Sequence, residues 1–111
     1  MINKEILRRA RSYIENGWTQ SCCARDKNGN SVMYRNQEAV SFCLIGSIRR
    51  AIADDMLLPM SSALDLRPVG AILRDVKNNM NLTLPTWNDS PTRTKQEVLD
   101  FLDLAIEQVP E

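Results

Sequence analysis

The sequence contains no histidine, few aromatic residues and no long hydrophobic run. Because none of its 111 residues is histidine, the chain cannot use Ser-His-Asp or Cys-His catalysis or a mixed cysteine–histidine zinc site. Its longest apolar run covers residues 42–45, whereas a helix that crosses a bilayer needs about 20 apolar residues. We therefore expect no membrane span.

Cysteine is also scarce, with three residues at positions 22, 23 and 43. An odd number suits a disulfide framework poorly, and a bond between the neighbours Cys22 and Cys23 would require a strained backbone. Because the chain has no Cys-x-x-Cys pair, we expect neither a metal site nor a cofactor. Met1 leads directly into the charged segment Asn3-Lys4-Glu5, which does not resemble a signal peptide. Reduced thiols and this start predict a cytoplasmic protein.

The net charge is zero, with 14 basic and 14 acidic side chains, which argues against binding nucleic acid by bulk electrostatics. The charges are nevertheless segregated, since residues 1–50 carry nine basic and four acidic side chains. The simpler interpretation is that a basic first helix packs beside an acidic last helix. The alternative is a dipolar surface with two faces for charged partners. Its basic patch would comprise Arg8, Arg9, Arg11, Arg49 and Arg50.

Apolar periodicity predicts one mainly α-helical domain spanning residues 1–111, because 43% of the residues are hydrophobic and can form a core. A first helix covers residues 3–16, with Asn3 as its N-cap and Gly17 ending it in the left-handed conformation. The pair Asn28-Gly29 then predicts a tight turn between two short strands. We therefore expect a small hairpin after the first helix.

The rest of the chain predicts further helices. A second helix covers residues 36–54 and is the most buried, because residues 39–46 are apolar nearly all round. A third begins near Pro68 and is followed by a loop over residues 78–89. The capping box Thr94-x-x-Glu97 opens the last helix. The expected architecture is a compact bundle of about four helices with the hairpin inserted after the first.

The three cysteines and one pair of adjacent carboxylates are weak candidates for chemistry. Cys43 falls about two turns into the predicted second helix, where burial would raise the pKa of its thiol and favour a structural role. Cys22 and Cys23 are neighbours on a predicted strand, so we expect one to be buried and the other exposed. The adjacent carboxylates Asp54 and Asp55 diverge on a helix and do not converge on a substrate.

The strongest candidate site lies around two tryptophans at element boundaries. The polar residues Asn88 and Asp89 follow Trp87 directly, and Pro91 stiffens the approach to the last helix. One interpretation is a structural corner in which both indoles cover an end of the core. The other is a recognition pocket with aromatic walls and a few convergent polar groups. The candidate residues are Trp18, Gln20, Cys43, Trp87, Asn88, Asp89, Arg93 and Thr94.

Several of these residues belong to four short motifs, which follow one another along the chain. The motifs are Gly17-Trp18-x-Gln20, Ala24-x-Asp26-x-x-Gly29-x-x-Val32, Cys43-Leu44-x-Gly46 and Trp87-Asn88-Asp89-x-Pro91-x-Arg93-Thr94-x-x-Glu97-Val98-Leu99. This pattern resembles an uncharacterised domain-of-unknown-function family of small bacterial and bacteriophage proteins. The resemblance implies a cytoplasmic, mainly helical single domain in which Gly17, Trp18, Cys43 and residues 87–94 lie together. It implies no activity.

We expect a protein that binds another protein rather than an enzyme, because the sequence has no complete catalytic set and no nucleotide motif. In a phage or mobile-element setting, such a protein would inhibit or adapt a host system. One alternative is a small-molecule binder or histidine-free enzyme at the Trp87-Asn88-Asp89 corner, with Asp89 as base or anchor and Cys43 as thiol. Another is nucleic-acid binding through the five arginines, which the zero net charge disfavours. The oligomeric state stays open, a homo-oligomer included.

Overall fold

The computed structural model describes residues 4–54 and 83–109, which form four helices and a small antiparallel sheet. This confirms the predicted class, mainly α with a hairpin after the first helix. The predicted third helix near Pro68 lies outside the described residues, and the single-domain boundary 1–111 stays a prediction. The elements are α1 (Lys4–Asn16), β1 (Ala24–Arg25), β2 (Ser31–Val32), β3 (Ser41–Phe42), α2 (Leu44–Asp54), α3 (Leu84–Asn88) and α4 (Lys95–Gln108).

The end of α1 differs from the prediction at Gly17. Among the described glycines only Gly29 has a positive φ, at 84°, so Gly17 does not end the helix in the left-handed conformation. Glycine is needed there because the chain beside it is too close for a side chain. A Cβ on Gly17 would overlap the carbonyl oxygen of Val40 and lie 3.1 Å from Ser41 Cα. This approach lets Phe42 N donate to Gly17 O at 2.9 Å.

The predicted hairpin is present. Strand β1 pairs antiparallel with β2, with Ala24 opposite Val32. The turn is held by Asp26, whose Oδ1 accepts from the backbone N–H groups of Asn28 and Asn30 at 2.9 Å each. The positive φ of Gly29 completes the reversal.

The predicted second helix is wrong in its first part. A third strand, β3, occupies Ser41–Phe42 and pairs with the other edge of β1, so the strand order is β2-β1-β3. Helix α2 begins only at Leu44. The apolar run suits a buried strand as well as a helix, and tertiary pairing decides between them. Phe42 bonds on its far side to the segment after α1, since Thr19 N donates to Phe42 O at 3.0 Å.

The core lies where α1 packs against α2 and α4. Fully buried side chains from all four helices meet there, including Leu7, Ile48, Trp87 and Phe101. Burial of such side chains is worth about 1.5–3 kcal/mol each relative to exposure. These contacts place the sheet and α3 together at one end of the helices.

The last helix begins at the predicted capping box, with Thr94 as its N-cap. Its acidic face adjoins α1, since Arg11 Nε lies 2.6 Å from Asp103 Oδ1. Lys4 Nζ also donates to the carbonyl oxygen of Ile106. The structure thus has the basic first helix beside the acidic last helix. In the part of the chain that the structure describes, no helix is both long and apolar enough to cross a membrane.

Candidate functional site

A buried asparagine, Asn88, joins three segments of the chain at the end of α3. Its Oδ1 accepts hydrogen bonds from Trp18 Nε1 at 2.8 Å and from Leu44 N at 3.1 Å. Its Nδ2 donates to Thr19 O at 3.2 Å and to Asp89 Oδ1 at 2.9 Å. An asparagine amide offers two acceptor positions and two N–H groups, so its hydrogen-bonding capacity is filled. Asn88 therefore fixes these segments together and has no group free for a ligand.

The segment after α1 is clamped onto the connection between α3 and α4. Gln20 Nε2 donates to the carbonyl oxygens of Asn88 and Ser90, both at 2.9 Å. The next residue, Ser21, has a φ of 73°, which is the left-handed region that costs a non-glycine residue about 1–2 kcal/mol. Its backbone N–H donates to Asp89 Oδ1 at 2.9 Å. These bonds hold Ser21 in a strained conformation.

Trp87 is packed under Arg93 and is 1% exposed. The Arg93 Cζ lies 4.1 Å from the centre of the Trp87 ring, and the ring centre lies 5.3 Å from that of Phe101. Arg93 Nε donates to Trp87 O at 2.9 Å, and its Nη1 lies 3.1 Å from Glu97 Oε2. The Thr94 backbone N–H and the Arg93 charge hold the pKa of Glu97 below its usual value. Arg93 and Thr94 thus stabilise the start of α4.

The structural-corner interpretation accounts for these contacts. Trp18 is half-buried against the core, and Trp87 is buried within it. Neither indole lines either of the two cavities described below. The structure therefore brings together Trp18, Gln20 and residues 87–89, with packing and hydrogen-bond roles.

Of the loop predicted over residues 78–89, the first part, residues 78–82, lies outside the described residues. The prediction is wrong at residues 84–88, which form the short helix α3. Thr83 is its N-cap, with Oγ1 accepting from Thr86 N at 3.4 Å, and Pro85 lies in its first turn. The sequence carried this signal, since a threonine before Leu-Pro is typical of a helix start. The helix aims Asn88 into the core.

A cleft of about 190 Å³ opens beside the corner, between the bend that precedes β1, the start of α2 and the start of α3. All three cysteines face it. Its lining residues are Ser21, Cys22, Cys23, Cys43, Ile45, Arg49, Pro85 and Asp89.

Cys43 does not lie two turns into a helix, because α2 begins at Leu44. It immediately precedes the helix, and its Sγ accepts a hydrogen bond from Gly46 N at 3.2 Å. Burial dominates nevertheless and raises the pKa of the thiol to about 11, although the hydrogen bond from Gly46 acts in the opposite direction. Cys43 is thus buried and its thiol pKa is raised, as expected, but the residue precedes α2 instead of lying inside it.

The prediction of one buried and one exposed thiol at Cys22 and Cys23 is wrong. Both are half-buried and line the same cleft. They lie in a bend rather than in a regular strand, so the alternation of faces does not apply to them. Cys22 Sγ donates to Ala24 O at 3.3 Å. Within residues 4–54 and 83–109, no three acidic or cysteine side chains are arranged to hold a metal ion.

Arg49 is the unusual charged residue of the cleft. Its Nε is buried and has no hydrogen-bond partner among the described residues. A buried polar group without a partner costs about 1–3 kcal/mol, and more when it is charged. The sequence predicts Arg49 as part of a basic patch with four other arginines and does not predict its position in the cleft.

The other arginines of the predicted basic patch are largely neutralised. Arg9 lies 3.8 Å from Glu5, Arg11 lies 2.6 Å from Asp103, and Arg50 lies 3.4 Å from Asp54. Arg50 Nη1 also donates to the carbonyl oxygens of Tyr34 and Asn36. Arg8 is exposed on α1. The positive charge of this face is therefore offset locally by carboxylates.

A shallower and more open groove of about 500 Å³ adjoins the cleft. The two share Pro85 and Asp89 in their linings, so they lie side by side along α3. The groove is lined by Pro85, Thr86, Asp89, Ser90, Pro91 and Arg93.

Comparison with known proteins places the chain in a family without assigning an activity. The model of a family of unknown function, DUF6197, matches residues 3–108. No curated protein and no solved structure matches the chain. Because the match covers nearly the whole sequence, the chain belongs to the DUF6197 family of unknown function.

Proposed function

We propose that this chain is a small binding protein that recognises another protein through the cleft and the adjoining groove. The observation that carries the proposal is Arg49, whose buried Nε has no hydrogen-bond partner among the described residues. A partner that supplies an acceptor there would remove the cost of leaving this group unpaired. The remaining support comes from the size of the cleft, its charges and the groove beside it.

The size of the cleft favours one side chain of a protein over a whole small molecule. Pockets that enclose small ligands usually measure about 300–1,000 Å³, whereas the cleft measures about 190 Å³. At about 30 Å³ per water, it has room for about six waters. A single anchoring side chain in such a pocket, surrounded by weaker contacts, is typical of protein–protein interfaces.

The charges favour an acidic anchor. A carboxylate can accept from Arg49 Nε and pair with its guanidinium charge. On the other wall, Asp89 Oδ1 already accepts from Ser21 N and Asn88 Nδ2. We therefore infer an aspartate or glutamate side chain in the cleft, with the rest of the partner segment lying along the groove over Pro85 and Pro91.

We further propose a bacterial or phage cytoplasm as the setting and a host protein as the partner. The support for this setting is the motif resemblance alone. A second copy of the same chain is the other protein that could supply the anchor, and the experiment below separates the two.

The experiment is selection from a displayed library of random twelve-residue peptides, followed by affinity measurement with synthetic versions of the enriched peptides. We expect the selected peptides to share one acidic position. Replacing that residue with glutamine, or Arg49→Gln in the protein, should weaken binding about 10- to 100-fold, as expected for a lost charged hydrogen bond. Arg8→Gln is the matched control, because Arg8 is exposed on α1 outside the cleft, and it should leave the affinity unchanged.

Three results would contradict the proposal. Peptides that bind Arg49→Gln as tightly as the wild type would place recognition elsewhere. Saturation of the cleft by free amino acids or small carboxylic acids, with no selected peptide, would favour the small-molecule alternative at Asp89 and Cys43. Concentration-dependent dimerisation that Arg49→Gln abolishes, again with no selected peptide, would make the partner a second copy of this chain.

A further inference from the structure

Cys23 and Cys43 lie opposite each other where β1 and β3 begin to separate. Ala24 pairs with Phe42, so the adjacent pair in this register is Cys23 with Cys43. Cys43 N donates to Cys23 O at 3.1 Å. Residues directly opposite each other on antiparallel strands have Cα atoms about 4.5–5.5 Å apart, inside the range of about 4.4–6.8 Å that disulfides span.

The two side chains lie on the same side of the backbone. The neighbouring pair, Ala24 and Phe42, points into the core, where the two residues are 0% and 2% exposed. Cys23 and Cys43 both line the cleft. The register places the two residues opposite each other, and both side chains line the same cleft.

We propose that Cys23 and Cys43 are a reversible oxidation site, which forms an intramolecular disulfide in exchange with a low-molecular-weight disulfide such as oxidised glutathione. This proposal is independent of the binding function inferred above, because it rests on strand register. Cys22 is the thiol left over. Its Sγ donates to Ala24 O at 3.3 Å. In the strand register, Cys23 rather than Cys22 lies opposite Cys43.

The exchange has two steps. Cys23 is half-buried and Cys43 is only 8% exposed, so the Cys23 thiolate attacks first. It bonds to one sulfur of the glutathione disulfide and displaces one glutathione thiolate. Cys43 then loses its proton to solvent, and its sulfur attacks Cys23 Sγ and displaces the second glutathione. The protein loses two protons and two electrons in total, and one glutathione disulfide gains them to become two glutathione thiols.

The second step is the slow one. Burial raises the pKa of Cys43 to about 11, so its reactive thiolate is scarce at neutral pH. Cys43 Sγ must also leave the N–H of Gly46, from which it now accepts a hydrogen bond. We therefore expect a transient adduct of glutathione on Cys23, which closes faster as the pH rises toward 11.

The test is equilibration of the folded, full-length protein in buffers of varied oxidised-to-reduced glutathione ratio, followed by alkylation and peptide mapping by mass spectrometry. We expect one bond, between Cys23 and Cys43, with Cys22 alkylated. The midpoint should lie at least about 30 mV more negative in the folded protein than in denaturant, which is a tenfold preference. Cys22→Ser should keep the bond, and Cys23→Ser should abolish it while leaving Cys43 reduced.

The alternatives give different maps. A bond between Cys22 and Cys43, glutathione adducts that never close, or equal midpoints in folded and denatured protein would each overturn the proposal. Cys23→Ser keeps the backbone carbonyl of residue 23 that accepts a hydrogen bond from Cys43 N, so we expect this variant to fold. Its circular dichroism spectrum checks that loss of the disulfide does not reflect unfolding.

Discussion

The substitution Asn88→Ala provides the most direct test of the corner. It removes the acceptor of Trp18 Nε1 and Leu44 N and the donor to Thr19 O. Leu44 is fully buried, so its N–H cannot form a hydrogen bond with water instead. A buried N–H without a hydrogen-bond partner costs about 1–3 kcal/mol. Trp18 and Thr19 are half-buried and recover part of their loss through water. With the small cavity that alanine leaves, we expect a total of about 3–4 kcal/mol.

This loss is large compared with the stability of a small domain, which is about 5–15 kcal/mol. The assay is urea unfolding followed by far-ultraviolet circular dichroism with linear extrapolation. Trp18→Phe is the comparison variant, because it deletes one donor while the Asn88 amide still accepts from Leu44. We expect it to cost less than Asn88→Ala, with a coupling of about 1 kcal/mol in the double-mutant cycle of the two sites.

A cost below about 1 kcal/mol for Asn88→Ala would refute the reasoning, since it would mean that water replaces the amide in full. The corner would then be a solvated pocket, and the interpretation of these residues as a ligand site would regain support. A coupling near zero would show that the bond from Trp18 to Asn88 adds nothing to stability.

Further substitutions test other parts of the structure. Gly46→Ala places a Cβ against the carbonyl of Cys23, and we expect a loss of about 2 kcal/mol in urea unfolding; an unchanged midpoint would contradict the close approach. Ser21→Gly relieves the φ of 73° and should stabilise by up to about 1 kcal/mol, whereas destabilisation would assign the serine side chain a role of its own. Thr94→Ala removes an N-cap and should cost about 1 kcal/mol, visible as a lower Tm. The pKa of Glu97 is lowered from 4.5, so the stability it adds is present above that pH and lost as the pH falls through its folded value. Glu97→Gln should therefore flatten the acid decline of Tm, and an equally steep decline would contradict this.

Local signals predicted much of the fold. The capping box at Thr94 fixed the start of the last helix, and Asn28-Gly29 fixed the hairpin, because each depends on neighbours within a few residues. The start of α2 was missed because an apolar run is compatible with helix and strand alike. The residues before it form strand β3, and the partners of Phe42 in that strand are Gly17 on one side and Ala24 on the other, both from earlier in the chain.

The candidate site was predicted as a set of residues but not as an arrangement. The family resemblance grouped Trp18 with the segment that contains Asn88, and in the structure these two residues, 70 positions apart, share a hydrogen bond. Nothing in the sequence indicated the cleft or an Arg49 Nε without a hydrogen-bond partner among the described residues, since both depend on the backbone between the elements. The position of Cys43 was misjudged for the same reason as the start of α2.

The bonds made by Asn88 also set the order in which the chain can fold. Trp18, Thr19 and Leu44 precede their partner by 44 to 70 positions, so the corner cannot form during synthesis until α3 has left the ribosome. Closing loops of this length costs entropy before any contact offsets it, which slows folding. The hairpin and α1 can form locally and early, whereas assembly of the corner is a late step, and until then the N–H groups of Trp18 and Leu44 remain bonded to water.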